Sequence, residues 1–278
     1  MILVTGASGQ LGTAFRKRLG DRAEYLDRSL LDLSEPDAAG TTVRALRPDT
    51  VINCAAYTAV DRAQDEEDIA LAVNATAVGE MAAACHDIGA RFVTYSTDYV
   101  FDGTKPGSYV ESDPTTPINA YGRTKLEGEQ MALAVNADSL VIRTSWVMSG
   151  THRNFAAVML ELIAKGDVTV VADQHGRPTL VDDLVVGTMR ALDAGVTGIL
   201  HMANAGTTSW YELARTIADI AGLDPHRVAP CTTADYPTKA ARPLNSVLDS
   251  ERIAALGLAP LPDFHGALEA AVHELLAS

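Results

Sequence analysis

The chain has 278 residues, 47% of them hydrophobic, with 22 Lys and Arg against 36 Asp and Glu and a formal net charge of -14. That length supports one large α/β domain or a nucleotide domain with a smaller partner, and the acidic surplus excludes the basic stripe by which nucleic acid is held. No apolar run approaches the roughly 18 residues of a membrane helix, and the first strand begins at Ile2 with no room for a leader, so a cytoplasmic protein without membrane attachment is expected.

The predicted elements alternate. MILVTG reads as an opening strand, QLGTAFRKRL as a helix, AEYL as a second strand, and TVINCAA and RFVTYS as further strands separated by a second helical stretch and a long helix near 66–88. Continuous apolar strands between helices predict a parallel sheet covered on both faces, a Rossmann-type doubly wound α/β fold. After the first strand, TGASGQLG sets Gly6, Gly9 and Gly12 three apart. Glycine permits a tight turn and a close approach of pyrophosphate to a helix N-terminus whose amides lack partners. Gly6, Ser8, Gly9, Gln10, Leu11 and Gly12 are therefore assigned to a dinucleotide. The second strand ends at Leu26-Asp27-Arg28. Asp27 would accept from an adenosine ribose 2′-hydroxyl and Arg28 would attract a 2′-phosphate, so NADPH and NADH both stay open. Asp32, with Leu33 beside it, is placed for the adenine.

Asn53, Ala55, Ala56 and Thr58 follow the third strand at its carboxyl end, where such sheets bind ligands, and are expected to line the cofactor. Cys54, Cys85 and Cys231 are odd in number and far apart and read as buried free thiols; the seven histidines make no ligand-spaced pair, so no metal is expected. DRAQDEED (61–68) reads as a solvated helix start. Asn74 either satisfies a backbone break, holds a water or faces solvent. RFVTYS runs into Thr97, Asp98 and Tyr99, and AYGRTK places Tyr121 and Lys125 one turn apart on a helix over about 118–136. An adjacent ammonium would favour the phenolate and bring a weakly acidic tyrosine toward neutrality.

SLVIRTS forms the next strand, and Trp146 just beyond it offers a flat face to sugar or base, or else fills the core. The pattern then loosens into GTHRNF, DQHGRPT and DYPTKAARPLNS, loops between further helices and short strands. Asn154, Phe155, Arg177 and Arg242 are candidates to receive a nucleotide diphosphate, because arginine matches phosphate oxygens in pairs; Arg242 alternatively only tethers the C-terminal segment. The expected organisation is a dinucleotide-binding domain over 1–147 and a smaller α/β substrate-binding portion over 148–278, some of whose segments return to the first domain.

In order along the chain, the glycine loop, NCAAYTAVD, YSTDYVFDG, YGRTKLEGE, RTSW and RPLNS resemble the extended short-chain dehydrogenase/reductases and, within them, the dTDP-4-dehydrorhamnose reductases. The likeness covers the whole chain. It implies NAD(P)H-dependent reduction of the 4-keto group of a dTDP-4-dehydro-6-deoxysugar, dTDP-4-dehydrorhamnose becoming dTDP-L-rhamnose. By the resemblance Tyr121 gives the proton, Thr97 bonds the carbonyl oxygen, and Lys125 lowers the tyrosine pKa and grips the nicotinamide ribose. Asp98 and Tyr99 would face the sugar, unless Asp98 caps the strand end.

Dehydratases of the superfamily follow the threonine with an Asp-Glu pair; here Tyr99 follows Asp98, so elimination of water lacks half its apparatus. Some relatives bridge subunits through magnesium on glutamates. Ala14 and Asp182 stand at those positions, which argues against a metal-bridged dimer and leaves a monomer or weak homodimer. Tyr57 stands where relatives carry histidine beside the cofactor. Two alternatives stay open: a 4-ketoreductase for another dTDP-deoxysugar of antibiotic biosynthesis, dihydrostreptose formation included, and a non-catalytic regulatory subunit on the same fold.

Overall fold

The computed structural model describes residues 1–277. Strands are β1 (Ile2–Thr5), β2 (Ala23–Leu26), β3 (Thr50–Asn53), β4 (Arg91–Thr97), β5 (Leu140–Thr144), β6 (Val147–Met148), β7 (Val168–Val171), β8 (His175–Gly176), β9 (Thr179–Leu180), β10 (Gly198–His201), β11 (Thr208–Ser209) and β12 (Val228–Cys231). The α-helices are α1 (Gln10–Leu19), α2 (Ala38–Leu46), α3 (Glu67–Leu71), α4 (Ala77–Ile88), α5 (Ala120–Val135), α6 (Phe155–Lys165), α7 (Val181–Asp193), α8 (Trp210–Ile220), α9 (Glu251–Ala255) and α10 (Phe264–Ala277).

Six strands form one parallel sheet in the order β10-β5-β4-β3-β1-β2, a Rossmann-type arrangement. The winding reverses beside β1, and the crevice beyond the carboxyl ends of β1 and β3 is where such sheets take ligands. Alternate residues of a strand face opposite ways. Val4, Ile52, Val93 and Ile142 pack in one core with Phe15 of α1 and Leu184 of α7, while Leu3, Val51 and Phe92 pack in another with Val43 of α2 and Val78 and Met81 of α4. Both faces are covered, which is why these strands read as unbroken apolar runs. Each fully buried Leu, Ile or Phe contributes about 1.5–3 kcal/mol, enough to fix the register. A separate core joins Met148, Leu160, Ile163, Leu213, Ile217, Phe264 and Leu268 from β6, α6, α8 and α10. β10 and α7, though late in the chain, belong to the large sheet and its covering core.

The long helix near 66–88 is in fact α3, a π-helical turn over Ala72–Thr76, and α4. The turn pushes the Asn74 carbonyl toward α5, where a Cβ on residue 128 would stand 2.0 Å from it. Only Gly128 lets the two helices meet. Asn74 itself is buried: its Oδ1 accepts from the Tyr57 amide at 2.9 Å, and its Nδ2 donates to the Tyr57 carbonyl and to Thr124 Oγ1. Within Glu67–Ile88 an 18-residue window has a mean hydropathy of 1.2 and is, by length and composition, long and apolar enough to cross a bilayer, although polar residues interrupt it and no apolar run reaches that length. With 56% of that window buried in the fold, it has the pattern of a core helix.

DRAQDEED does lead into a helix start, α3 beginning at Glu67 with Asp65 and Asp68 exposed, but its polar side chains are also paired. Asp61 pairs with Arg242, Asp65 with Lys239 and Glu67 with Arg123, and Gln64 Oε1 accepts from the Ala120 amide at 2.6 Å. The acidic segment clasps the start of α5 and the 239–242 strand of chain together.

Candidate active site

Two glycines and one asparagine set the working helix. Asn119 caps α5 by accepting from the Gly122 amide at 2.8 Å, and its Nδ2 holds the Ala241 carbonyl at 2.8 Å. A Cβ on residue 122 would lie 2.1 Å from the Tyr99 carbonyl, so glycine there lets the helix start press against the turn that leaves β4. Thr97 caps that turn: its Oγ1 accepts from the Tyr99 amide at 3.1 Å and donates to Asp98 Oδ1 at 2.9 Å. The hydroxyl of Thr97 and the side chains of Tyr121 and Lys125 are thereby brought to one cavity of about 670 Å³.

Its walls include Ser96, Thr97, Asp98 and Tyr99 at the end of β4, Tyr121 and Lys125 of α5, Thr144, Ser145 and Trp146 after β5, Thr58, and Gly9, Gln10 and Leu11 from the glycine loop. Burial pushes the Tyr121 phenol up to about 12, with the Thr97 hydroxyl opposing the rise. Lys125 is only 4% exposed, and burial draws its ammonium down to about 8 against the pull of the Glu129 carboxylate. Tyr121 and Lys125 make no direct hydrogen bond among the described residues, and burial governs both. The expectation that the amine lowers the phenol pKa is corrected: the phenol is held in its protonated form. Burial also raises Asp98 to about 6, opposed by the nearby Ser246 and Thr97 hydroxyls. Among the described residues, Ser96 Oγ, Asp98 Oδ2 and Thr144 Oγ1 are buried without a hydrogen-bond partner, and all three residues line this cavity. A buried polar atom left unpaired costs about 1–3 kcal/mol, so three in one wall mark a place completed by a polar ligand.

A second cavity of about 240 Å³, lined by Thr5, Gly6, Ser8, Arg28, Leu31, Asp32, Leu33, Ala55, Tyr57 and Val73, shares Gly9, Cys54 and Ala56 with the first. The two form one groove. Gly6 has φ +66°, and a Cβ there would lie 2.5 Å from the Ala55 amide nitrogen; one on residue 12 would lie 2.3 Å from the Gly6 carbonyl oxygen. Gly9 precedes α1 with no side-chain cap and no acid in the first turn, leaving a bare helix N-terminus between the cavities. A nucleoside-sized slot, an anion-receiving helix end and a Tyr/Lys pocket in sequence fit a dinucleotide.

Other expected contacts fall elsewhere. Asp27 Oδ1 accepts from the Ser29 amide and hydroxyl, so this carboxylate closes its own turn and does not line the slot, whereas Arg28, 79% exposed and paired with Asp32, does. Asn53 is spent inside the fold on Thr5, Thr94 and the Ala55 amide. Asn154 caps α6, accepting from the Ala157 amide, and donates to Gln10 Oε1 and the Ser149 carbonyl; it lines neither cavity. Phe155 packs on Trp210 at 4.5 Å. Arg242 is held bidentately by Asp61, the tethering role, and Arg177 turns into a separate cavity of about 290 Å³ beside Asp249 and His201. Trp146 does reach the active cavity, but its ring stacks on Trp210 at 3.6 Å, with Gly176 against its edge and its backbone at φ +47°. Cys54 is half-buried on both cavities, and Cys231 is half-buried too; only Cys85 is buried. Ala14 is buried and Asp182 pairs with Lys17 at 3.1 Å.

Sequence reasoning missed Thr144, Trp210, His152 and Arg153 on the cavity wall. Thr144 could have been found as the β5 residue in register with Thr97. Trp210 opens α8 behind the Ser209–Glu212 capping box, whereas His152 and Arg153 sit on an irregular segment with no pattern to flag them.

The profile of the RmlD substrate binding domain matches residues 1–277. The chain is 41% identical to the dTDP-4-dehydrorhamnose reductase of Burkholderia thailandensis, covering 99% of both chains. It is 41% identical to a Streptomyces antibioticus protein named "Probable dTDP-4,6-dihydroxy-2-methyloxan-3-one 4-ketoreductase", over 99% of this chain and 96% of that one. Among solved structures, the dTDP-4-dehydrorhamnose reductase of Bacillus anthracis in complex with NADP superposes with a TM-score of 0.92 at 34% identity, over 99% and 98% of the two chains.

Proposed function

Because the chain belongs to the dTDP-4-dehydrorhamnose reductase family, we propose that it reduces the 4-keto group of dTDP-4-dehydrorhamnose, giving dTDP-L-rhamnose, with NADPH or NADH as reductant. The observation that carries this reading is the convergence of Thr97, Tyr121 and Lys125 on a cavity continuous with the glycine-loop groove.

Gly6, Ser8, Gly9, Gln10 and Leu11 would hold the pyrophosphate, with Gly12 seating the helix beneath it; Arg28, Asp32 and Leu33 would hold the adenosine, and Ala55, Ala56 and Thr58 the remainder. Bound dihydronicotinamide supplies a hydride to the carbonyl carbon. The phenol of Tyr121, protonated throughout the neutral range, gives its proton to the carbonyl oxygen as negative charge develops there. Thr97 can turn its O–H from Asp98 toward the same oxygen, adding a donor aimed at the developing charge. Lys125, charged below about pH 8, supplies positive charge one helical turn from the phenolate left behind and a donor for the nicotinamide ribose. Asp98 and Tyr99 form the sugar-facing wall. Among the described residues Asp98 is the only carboxylate lining this cavity, so elimination of water has no second acid to use.

A second reading, reduction of another dTDP-deoxysugar, is supported by the Streptomyces antibioticus relative. The non-catalytic reading is disfavoured by the presence of all three reacting groups. On this account residues 1–147 carry the dinucleotide, 148–278 mainly the sugar nucleotide, and the protein works in the cytoplasm as a monomer or weak homodimer. The test offers purified protein NADPH or NADH with a panel of dTDP-4-dehydro-6-deoxysugars, following cofactor absorbance and assigning the C4 configuration of the product. Oxidation of cofactor fastest with dTDP-4-dehydrorhamnose is expected; no oxidation with any such sugar would overturn the proposal.

A further inference from the structure

The two arginines expected to meet a diphosphate are committed elsewhere, Arg242 to Asp61 and Arg177 to a different cavity. With a net charge of -14 the protein repels a sugar nucleotide unless a local cation receives it. Among the described residues, the Lys and Arg side chains on the wall of the 670 Å³ cavity are Lys125 and Arg153. Lys125 is buried beside the reacting phenol. We propose that Arg153 receives the diphosphate of the sugar nucleotide and so selects nucleotide-linked over free sugars, an inference that rests on the function proposed above.

The place of Arg153 suits the task. It directly precedes Asn154, the cap of the 11-residue helix α6, whose first turn holds no acid. The segment around it is pinned to the glycine loop: His152 Nε2 lies 3.1 Å from the Ser8 carbonyl, Ser149 Oγ donates to Gln10 Oε1 at 3.0 Å, and Asn154 Nδ2 donates to the same oxygen at 2.9 Å. The backbone of residue 153 is thus fixed at the mouth of the cavity while its side chain, 74% exposed, can swing. That a polar ligand enters this cavity is indicated independently by the unpaired Ser96, Asp98 and Thr144 atoms in its wall.

Redirecting Arg153 costs little. Its present partner is Glu161, at 3.0 Å and 45% exposed, in a surface pair of the kind worth about 0–1 kcal/mol. Lys165 holds the other oxygen of Glu161 at 2.8 Å, so that carboxylate keeps a partner when Arg153 leaves. A charge-assisted contact to phosphate, bidentate where geometry permits, is the stronger alternative.

Calorimetry of dTDP and of thymidine on the NADP-loaded protein tests this, alongside NADPH affinity and steady-state kinetics. Arg153→Ala should weaken dTDP by about 10-fold or more, leave thymidine and NADPH unchanged, and raise KM for the sugar nucleotide with kcat retained. Arg153→Lys should recover part of the loss. Glu161→Gln breaks the same surface pair but keeps the arginine, and should bind dTDP as well as or better than the unmodified protein. The inference is overturned if Arg153→Ala binds dTDP normally while the unmodified protein turns over, if NADPH weakens in parallel, or if Glu161→Gln matches the alanine variant. An unmodified protein that neither binds dTDP nor oxidises cofactor would sink the proposed function itself, and this inference with it.

Discussion

Helix α5 and strand β5 each contribute to two buried polar regions that have opposite characters. At one, Glu129 and Arg143, 2% and 3% exposed, share hydrogen bonds of 2.9 and 2.7 Å, with His201 3.4 Å from the guanidinium and the Phe101 ring beneath it at 5.3 Å. One turn back along the helix and one residue on in the strand, Lys125 and Thr144 are as deeply buried, yet they join Ser96 and Asp98 in a wall where polar atoms go unpaired. The first region spends its polarity on holding the fold; the second keeps it for a ligand. Unpaired groups persist where binding completes them, and their stability cost is borne by the rest of the structure.

The largest effect should come from breaking the paired region. Arg143→Ala leaves Glu129 buried and alone and should cost about 3–5 kcal/mol in denaturant unfolding; a loss under 1 kcal/mol would erase the contrast between the regions. Asp98→Asn should do the reverse. The carboxyl is raised to about 6 in the fold from an ordinary 3.8, so between those values the folded chain binds a proton that the unfolded chain does not, and stability falls as pH rises through that window. The asparagine variant escapes this penalty. It should be more stable by up to about 3 kcal/mol above pH 6, with the advantage vanishing below pH 4, as urea melts across pH would show. In the same wall, Lys125 loses its charge above about pH 8, so kcat/KM should fall on that alkaline side, and a profile flat through pH 9 would exclude an essential ammonium. The smallest change concerns the nucleoside slot: Arg28→Ala should weaken NADPH by about 10-fold and spare NADH, measured by fluorescence titration.

The sequence was most informative where chemistry is local. The glycine loop, the apolar strands and the spacing of Tyr121 and Lys125 each follow from a few neighbouring residues, and the sheet, the groove and the face of α5 that carries Tyr121 and Lys125 lie where those patterns place them. It was least informative where a side chain's partner is remote. Arg242 looked like a phosphate receptor until folding brought Asp61 to it, and Arg177 until Asp249 lay beside it. Trp146 lies on the cavity wall, but nothing in the sequence signalled that Trp210 stacks on one face of its ring. The π-turn at Ala72–Thr76 was hidden because an apolar helix pattern runs straight through it; its sign is Gly128 on another helix. Ser96 and Thr144 look like any strand hydroxyls, and their lack of partners exists only in three dimensions.

The decisive measurement is single-turnover reduction of dTDP-4-dehydrorhamnose by Tyr121→Phe, with NADPH affinity determined on the same preparation. Removing the proton donor should slow reduction by about 10²–10⁴-fold while cofactor binding is retained. Reduction at close to the unmodified rate, with NADPH bound normally, would contradict the assignment of Tyr121 as the acid.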